Sequence, residues 1–364
     1  MSGIWGKNIT ISIFGESHGA AIGGVIDGLP SGIDLDIENI KLQMKRRAPG
    51  IDDLTTSRQE DDDFEILSGY YNGYTTGTPL SFIIRNKDKK SSDYENIKNI
   101  ARPGHADYTG RIKHKGFNDY RGGGHFSGRL TAPLVFAGAI CSQILESKGI
   151  KIISHIKTIG KAEDKSFDFE KIEEQVIDKL KNTDFPVICE EKAEFMRQEI
   201  LMAKENEDSV GGIIECAAIG VPAGLGDPFF DSVESKLSHI LFSIPAVKGV
   251  EFGAGFGISK MKGSQANDEI FIDNGKVITK GNCNGGIVGG ITNGMPIIFR
   301  VAIKPTSSIG KIQNTIQMEK MEETKISIQG RHDPCIVPRA VPVVEAASAI
   351  VLIDLVMERG ECFE

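Results

Sequence analysis

The sequence predicts a mixed α/β (α+β) protein that forms a single domain. Short apolar runs typical of strands recur along the 364 residues, and longer runs with helical spacing lie between them. Hydrophobic residues make up 40% of the chain and charged residues 25%, as in a soluble globular protein with a sizeable core. No linker rich in proline or serine divides the chain, so we expect one domain over residues 1–364.

The strands and helices are predicted from the spacing of apolar residues. Buried helices are expected at 130–147 and 341–358, which are apolar around most of their circumference. Residues 169–180 have one apolar face, and residues 190–208 favour a polar helix on the surface. Strands are predicted at 9–14, 22–27, 80–84, 150–155, 212–219 and 296–303.

Two pairs of similar segments favour an internal duplication. Residues 24–32 resemble 217–224 in a Gly, hydrophobic, Pro, small, Gly pattern, and residues 76–82 resemble 293–299 around a Gly-x-Pro turn. A duplicated unit with unequal insertions would explain both pairs. The alternative is that two turns are similar by coincidence.

Composition and charge exclude several classes of protein. The net charge of −8 argues against a nucleic-acid partner, because duplex binding depends on surplus Lys and Arg. The six cysteines form no CxxC pair, so reduced thiols are expected and no metal site is predicted. The N-terminus does not resemble a signal peptide, and the apolar stretch at 346–357 is shorter than the ~20 residues that a bilayer needs. We therefore expect a cytoplasmic protein without a membrane partner.

Glycine and positive charge are concentrated in places that suit a small anionic ligand. Glycine accounts for 42 of 364 residues, which indicates many tight turns or close approaches of the backbone to a ligand. Residues 98–129 hold seven Lys or Arg against Asp107 and Asp119, and a second basic cluster lies at 45–47. Such basic clusters on an acidic protein concentrate a positive electrostatic potential locally. A solvated basic face is the alternative.

The segment Gly15-Glu16-Ser17-His18-Gly19 matches the GxSxG pattern of serine hydrolases. That pattern requires a strand, a sharp turn and a helix, whereas the residues that follow here predict another strand. A serine ester hydrolase that uses Ser17 remains the alternative function. His18 is a candidate proton donor, because imidazole titrates near neutral pH.

Three further segments could bind anions. Residues 121–129, RGGGHFSGR, lead from a glycine run into an apolar helix, and residues 304–310, KPTSSIG, offer a cation and three hydroxyls. Residues 330–335, GRHDPC, bring a base, an acid and an imidazole onto one turn. The alternative for the first segment is an RGG-type nucleic-acid segment. For the second it is a helix N-cap, and for the third a surface turn with a local ion pair. Neither a Walker loop nor a Rossmann glycine motif occurs in the chain.

Taken together, these motifs resemble the chorismate synthase family. GESHG, RPGHAD, RGGG through Arg129, AVKGVE, GGIVGGI, KPTSSI and GRHDPC stand in the family's order from residue 15 to about 340. The resemblance implies a βαβ sandwich and a homotetramer. It also implies a lyase that converts 5-enolpyruvylshikimate 3-phosphate into chorismate and phosphate, the last step of the shikimate pathway. This 1,4-anti elimination requires reduced FMN (FMNH2) without net redox change.

The resemblance also implies roles for individual residues. His18 would protonate the departing phosphate, and His105 would support the reduced flavin. Asp333 would help to take the substrate proton, with Ser17 and Ser127 as relays. Substrate would be held by Arg46, Arg47, Arg102 and Arg129, and FMN by His125, Phe126, Ser127, Ala246, Gly289, Lys304, Pro305, Thr306, Ser307, Ser308 and Arg331.

The chain departs from the family's pattern at several positions. His125 stands where Arg is common, which would weaken a contact or make it dependent on pH. Ala48 and Asp53 replace arginines that are associated with pyridine nucleotide or substrate, and Pro245 stands where Asn is frequent. Whether NADPH reduces FMN on this chain or an external flavin reductase does so is left open.

Overall fold

The computed structural model describes residues 3–49, 61–87, 98–328 and 333–360, and it shows the expected mixture of helices and antiparallel sheets. The helices described are α1 (Ile37–Arg47), α2 (Asp107–Lys113), α3 (Thr131–Ser147), α4 (Glu174–Lys181), α5 (Glu190–Glu205), α6 (Val233–Ser243), α7 (Gly263–Ala266) and α8 (Val337–Glu358).

The strands fall into two large sheets and several small ones. In the first half they are β1 (Ile4–Trp5), β2 (Thr10–Gly15), β3 (Ala21–Asp27), β4 (Ser31–Asp34), β5 (Phe64–Ser68), β6 (Tyr70–Tyr71), β7 (Tyr74–Thr76) and β8 (Leu80–Arg85). In the second half they are β9 (Lys151–Ile159), β10 (Ala162–Glu163), β11 (Gly212–Ile219), β12 (Val247–Phe252), β13 (Glu269–Asp273), β14 (Lys276–Lys280), β15 (Ile287–Val288), β16 (Ile291–Thr292), β17 (Ile297–Ile303), β18 (Gln313–Gln317) and β19 (Glu322–Ile326).

A layer of helices separates the two large sheets. One sheet has the order β1-β2-β3-β8-β5 and the other β10-β9-β11-β17-β12, and every neighbouring pair is antiparallel. Helix α3 packs against β2, β3 and β8, while α8 packs against β9 and β11. The two helices also pack on each other, flanked by α1 and α6. This βαβ sandwich confirms the expected fold class.

The sheets support the internal duplication. When the short strands and the inserted elements are left out, each half contains strand, strand, helix, strand, strand, helix: β2, β3, α1, β5, β8, α3 in the first and β9, β11, α6, β12, β17, α8 in the second. The similar segments make Ile26 equivalent to Ala218 and Leu80 equivalent to Ile297. Ile26 lies opposite Leu80, and Ala218 lies opposite Ile297. The two sheets thus share strand order and register.

The core is densest where α3 crosses α8. A Cβ atom on Gly138 would lie 2.3 Å from both the Cα and the Cβ of Ala346, so only glycine permits this approach. On the side of the first sheet, the buried rings of Phe82 and Phe136 stack with centroids 3.9 Å apart. Both helices predicted as buried therefore lie between the sheets.

Two details differ from the sequence prediction. The helix expected at 169–180 begins only at Glu174; before it, the Asp168 carboxylate accepts the N–H groups of Glu170 and Lys171 in a local turn. The last apolar helix has 22 residues, more than the stretch recognised in the sequence. Helix α8 and the segment Gly128–Ser147 are long and apolar enough to span a membrane, but 89% and 78% of these stretches are buried inside the protein. These two segments belong to the core because they are buried, and not because they are too short to span a membrane.

The outer face of the second sheet carries a buried ionic cluster. His155 Nε2 lies 3.1 Å from Glu215 Oε2, and His155 Nδ1 lies 3.3 Å from Asp164 Oδ2. Arg300 Nη1 lies 3.4 Å from the other oxygen of Glu215. Burial lowers the pKa of His155, but the two carboxylates raise it by more, so the net shift is upward.

Candidate active site

Three loops converge at the end of the first sheet. They are the β2–β3 turn with Ser17 and His18, the described parts of the connection from β8 to α3 (86–87 and 98–130), and the described parts of the connection from β17 to α8 (304–328 and 333–336). Ser17 N donates to Gly124 O at 3.1 Å, which joins the first loop to the second. Ser307 Oγ donates to Gly104 O at 2.8 Å, and Lys304 Nζ donates to the same carbonyl, which joins the third loop to the second.

The glycine run lies between two imidazoles. Gly122, Gly123 and Gly124 have φ angles of +60°, +86° and +55°, which side chains rarely adopt. A Cβ on Gly122 would lie 2.6 Å from His18 Nε2, and one on Gly123 would lie 3.1 Å from His105 Nε2. Close approach of the backbone was expected here. The structure adds that the neighbours include the two candidate catalytic histidines.

Ser17 has a buried hydroxyl beside the same glycines. Its side chain is fully buried, and Oγ has no hydrogen-bond partner among the described residues. A Cβ on Gly122 would lie 2.9 Å from this oxygen. Because an unsatisfied buried hydroxyl is unfavourable, Ser17 fits a position that a polar ligand or water completes.

His105 belongs to a charged triad that the RPGHAD motif builds. Its Nδ1 lies 2.6 Å from Asp107 Oδ1, and Arg102 holds the same carboxylate through Nε at 2.7 Å and Nη2 at 2.8 Å. Burial raises the pKa of Asp107, but hydrogen bonds from Arg102 and His105 lower it by more, well below its usual value. An ionised Asp107 favours the tautomer of His105 with hydrogen on Nδ1. The other ring nitrogen, Nε2, lies next to Gly123.

Arg47 and Arg129 share one buried carboxylate, that of Asp62. Arg47 Nε donates to Asp62 Oδ2 at 2.8 Å, and Arg129 Nη1 donates to Asp62 Oδ1. Arg129 Nε also donates to Asn86 Oδ1 at 3.1 Å. Asn86 Nδ2 donates in turn to the carbonyls of Glu16 and Gly19, on either side of the Ser17–His18 pair.

The KPTSS loop faces Gly104 and Arg102. Lys304 Nζ lies 3.2 Å from Ser307 Oγ, and burial together with Lys248 lowers the pKa of Lys304. Ser308 Oγ accepts from Arg102 Nη1 at 3.4 Å, a bond that does not use its own hydroxyl hydrogen. No helix follows this loop; β18 does, so the N-cap interpretation is wrong.

The same loop reaches Ala246 and the Asp333 turn. Lys304 N donates to Ala246 O at 2.9 Å, and Ala246 has a φ of +77°. Thr306 Oγ1 donates to Asp333 O at 2.6 Å, and the Asp333 carboxylate pairs with Arg339. Pro305 packs against Gly211, where a Cβ would lie 2.9 Å from its ring.

The end of the glycine segment lies close by. His125 is exposed, and its Nδ1 lies 2.8 Å from Gly15 O. Phe126 packs against Gly110. Ser127 Oγ accepts from Arg129 N at 3.3 Å and so caps the short 3-10 turn Gly128–Leu130 that precedes α3.

Two predicted residues, Arg46 and Gly289, lie outside this cluster. Arg46 pairs with Glu345 at 2.6 Å on the α8 side. Gly289 lies exposed in the β15–β16 turn, next to Gly290, which contacts Ser232. Arg331 lies outside the described residues, as does Asp53.

Four residues that sequence reasoning did not assign to the site contribute to it: Asp62, Asn86, Asp107 and Arg339. The spacing of His105 and Asp107 was a usable signal, because a carboxylate two residues away can fix an imidazole. Asp62, Asn86 and Arg339 lie outside the motifs and become partners only in three dimensions.

The β2–β3 turn does not form a nucleophile elbow. Strand β2 turns directly into the antiparallel strand β3, without the helix that a GxSxG elbow requires. No described base is hydrogen-bonded to Ser17 Oγ. The ester-hydrolase alternative therefore has no geometric support among the described residues.

A cleft of about 270 Å³ opens on the outer side of Arg102. Its walls include Lys98, Arg111, Tyr120, Asp107 and Glu319. It shares Arg102 and Asp107 with the His105 triad. Two of the three loops thus line a cleft that holds three cationic side chains and two carboxylates.

Comparisons with known proteins agree on one family. A family model described as chorismate synthase matches residues 9–357. The chain is 49% identical over 355 residues to a chorismate synthase of Pyrococcus abyssi, covering 97% of each chain. It is 46% identical over 360 residues to that of Dehalococcoides mccartyi, covering 99% of this chain and 98% of the relative. A crystal structure of chorismate synthase is similar, with a TM-score of 0.77, 31% identity, and coverage of 98% of this chain and 93% of that one.

Proposed function

Because the chain belongs to the chorismate synthase family, the lyases of the last shikimate step, we propose that it converts 5-enolpyruvylshikimate 3-phosphate into chorismate and phosphate. We further propose that the reaction is a 1,4-anti elimination that depends on reduced FMN. One observation carries the proposal: a glycine backbone lies between His18 and His105, beside the unsatisfied hydroxyl of Ser17.

The described residues fit a flavin phosphate. A side chain at Gly122 would fill the space beside His18 and Ser17, and Lys304 and Ser308 add a cation and a hydroxyl donor. FMN would be held by Lys304, Pro305, Thr306, Ser307, Ser308, Ala246 and the segment His125 to Ser127. Gly289 and Arg331 stay predictions from the resemblance alone. Reduced FMN, when bound, supplies the electron-rich ring that the elimination requires.

The protein's own groups bind anions and move protons. Arg47, Arg102 and Arg129 provide guanidinium groups for carboxylate and phosphate. His18 donates a proton to the departing phosphate, since imidazole is the side chain that most often acts as a general acid or base. His105, fixed by Asp107, supports the cofactor, and Asp333 near Arg339 helps to accept the substrate proton, with Ser17 and Ser127 as relays. Arg46, which pairs with Glu345, is the weaker substrate candidate.

An anaerobic assay of phosphate release tests this function. With 5-enolpyruvylshikimate 3-phosphate as substrate, we expect release only when reduced FMN is present. Phosphate release without flavin would contradict the proposed elimination, whereas acylation of Ser17 by a reactive carboxylic ester would support the ester-hydrolase alternative.

His18→Ala tests the acid role. Turnover should fall by about two to four orders of magnitude, the usual contribution of a positioned general acid, while FMN binding persists. The matched control is His239→Ala, an exposed histidine on α6. Turnover at the wild-type rate in His18→Ala would rule out this role.

We infer that the chain acts as a cytoplasmic homotetramer. Light scattering after gel filtration would measure the assembly.

The source of the electrons that reduce FMN is a separate question, because Ala48 and Asp53 replace family arginines. NADPH oxidation by the purified chain with FMN would identify an intrinsic reductase; its absence would point to an external one.

A further inference from the structure

Asp119 and Arg121 form an ion pair at the head of the glycine run that packs on His18. Arg121 donates to the Asp119 carboxylate from its backbone N at 3.0 Å, from Nε at 2.9 Å and from Nη2 at 2.8 Å. Both carboxylate oxygens are therefore held in place, and only 13% of the Asp119 side chain is exposed. The proposed function has so far used neither residue.

The ion pair also fixes the backbone of the glycine run. A Cβ atom on Gly124 would collide with the carbonyl oxygen of Asp119, so the chain turns back on itself between these two residues. Gly122 directly follows Arg121, and a Cβ on it would lie 2.6 Å from His18 Nε2. The backbone that packs on the imidazole is thus the backbone that this ion pair holds.

Asp119 interacts with His18 through charge as well as through the backbone. Hydrogen bonds from Arg121 lower the pKa of the Asp119 carboxylate, and the charge of protonated His18 acts in the same direction. An electrostatic interaction is mutual, so an ionised Asp119 stabilises the protonated imidazole. His18 is buried, which limits the screening of this interaction by water.

Other charged groups near His18 act differently from Asp119. The charged and imidazole groups described around it are Glu16 on its own turn, His105 across the glycine run, and Asp119, Arg121, His125 and Arg129 on the segment that leads into α3. Glu16 is exposed, so water screens its charge. The two arginines, and either imidazole when protonated, disfavour a further positive charge. Asp119 opposes their effect.

We propose that Asp119, held by Arg121, is a positioning residue that keeps the proposed acid His18 protonated and fixes the glycine run on which this imidazole packs. A general acid must carry its proton at the working pH before it can donate it. The inference rests on the proposed function for the role of His18. It does not require Asp119 to touch the substrate.

The test is the titration of His18 in the full chain, measured by deuterium exchange at the imidazole C2 carbon and mass spectrometry of the peptide that contains it. Asp119→Asn keeps the shape of the side chain and removes its charge, so the midpoint of the His18 titration should move to lower pH by about half a unit or more. Arg121→Gln removes the charge that offsets Asp119, so the midpoint should move to higher pH. A merely structural pair predicts no shift, or shifts of the same sign in both variants.

The matched control is Glu146→Gln. Glu146 is an exposed carboxylate that pairs with Lys181 at 2.6 Å at the far end of α3. Its removal should leave the midpoint of His18 within about 0.1 unit of wild type, because exposed charges at such a distance are screened.

A midpoint of His18 that is unchanged or higher in Asp119→Asn would overturn the proposal. Should Asp119→Asn not fold, Arg121→Gln decides alone, and an unchanged or lower midpoint in that variant would refute it. The exchange is measured without substrate. Failure of the wild type to form chorismate would therefore count against the proposed function and not against the link between Asp119 and His18.

Discussion

Gly122 illustrates what one residue contributes to this site. The glycine run was expected to bring backbone close to a ligand, and it also brings backbone within contact distance of Ser17 and His18. A positive φ and a missing Cβ are both needed at this position. The position of the candidate acid, His18, therefore depends on Gly122 having no side chain.

Gly122→Ala should abolish most of the activity without unfolding the protein. The new Cβ would lie 2.3 Å from His18 Cδ2, so the imidazole must move. A displacement of this kind costs roughly a hundredfold in rate when the group is catalytic. Steady-state turnover and circular dichroism would measure the two effects.

The control for this change is Gly73→Ala. Gly73 has a φ of +93° and open space where its Cβ would stand, so it carries similar backbone strain without a collision. Equal losses of activity in the two variants would mean that strain, rather than the position of His18, causes the effect.

Sequence reasoning located the motif residues of the site but not their partners. His18, His105 and Lys304 stand in recognisable segments, and the structure brings the three segments together. Asp62 and Arg339 have ordinary sequence surroundings. Their roles arise from pairing with Arg47 and Asp333 across the fold, which no local pattern encodes.

At the scale of elements, the crossing of α3 and α8 holds the two halves together. Its closest point is Gly138 against Ala346, where the helix backbones meet without an intervening side chain. Interiors are packed as densely as crystals, so added volume at such a point has nowhere to go.

Gly138→Ala should destabilise the protein by roughly 1–3 kcal/mol or more, because the helices must separate to admit one methyl group. Thermal unfolding followed by circular dichroism would measure the change. Gly263→Ala is the control, since its Cβ would meet nothing and alanine favours helix α7. An unchanged melting temperature in Gly138→Ala would show that the crossing can relax.

Elements with a clear apolar pattern were predictable, and their ends were less so. All six predicted strands are present, because buried strands leave uninterrupted apolar or alternating runs. Helix α8 starts at Val337, earlier than expected, since Pro338 suits a first helical turn although it breaks the apolar pattern. Before α4, Glu170 N donates to the Asp168 carboxylate in a local turn, and periodicity does not reveal that this turn replaces the first part of the expected helix.

At the scale of the whole molecule, stability should depend on pH through its buried ionic groups. The carboxylates of Asp62 and Asp164 are buried and that of Asp107 is mostly so; burial raises their pKa values, but bonded partners lower each by more. Their stabilisation is present above the ordinary value of 3.8 and is lost as pH falls through the lowered values. His155 has a raised pKa, so its contribution is complete below 6.5 and is lost as pH rises through the raised value.

His155→Gln should therefore matter most at low pH. We expect its melting temperature to lie below that of wild type at pH 6, and the gap to shrink as pH rises past the folded pKa of His155. His239→Gln, on the exposed face of α6, should show no such trend. A gap that is constant from pH 6 to pH 9 would mean that His155 stabilises only by packing.

The two connections that meet at the site, from β8 to α3 and from β17 to α8, occupy equivalent places in the two halves of the chain. Two separate copies of such a unit, related by symmetry, would present the same loop to a ligand twice. A ligand without that symmetry would then leave about half of the loop side chains without a contact. Fusion into one polypeptide removes the constraint that the copies be identical. One loop then specialises in imidazole and glycine, and the other in hydroxyls and a lysine, so that an asymmetric molecule meets different chemistry on each side.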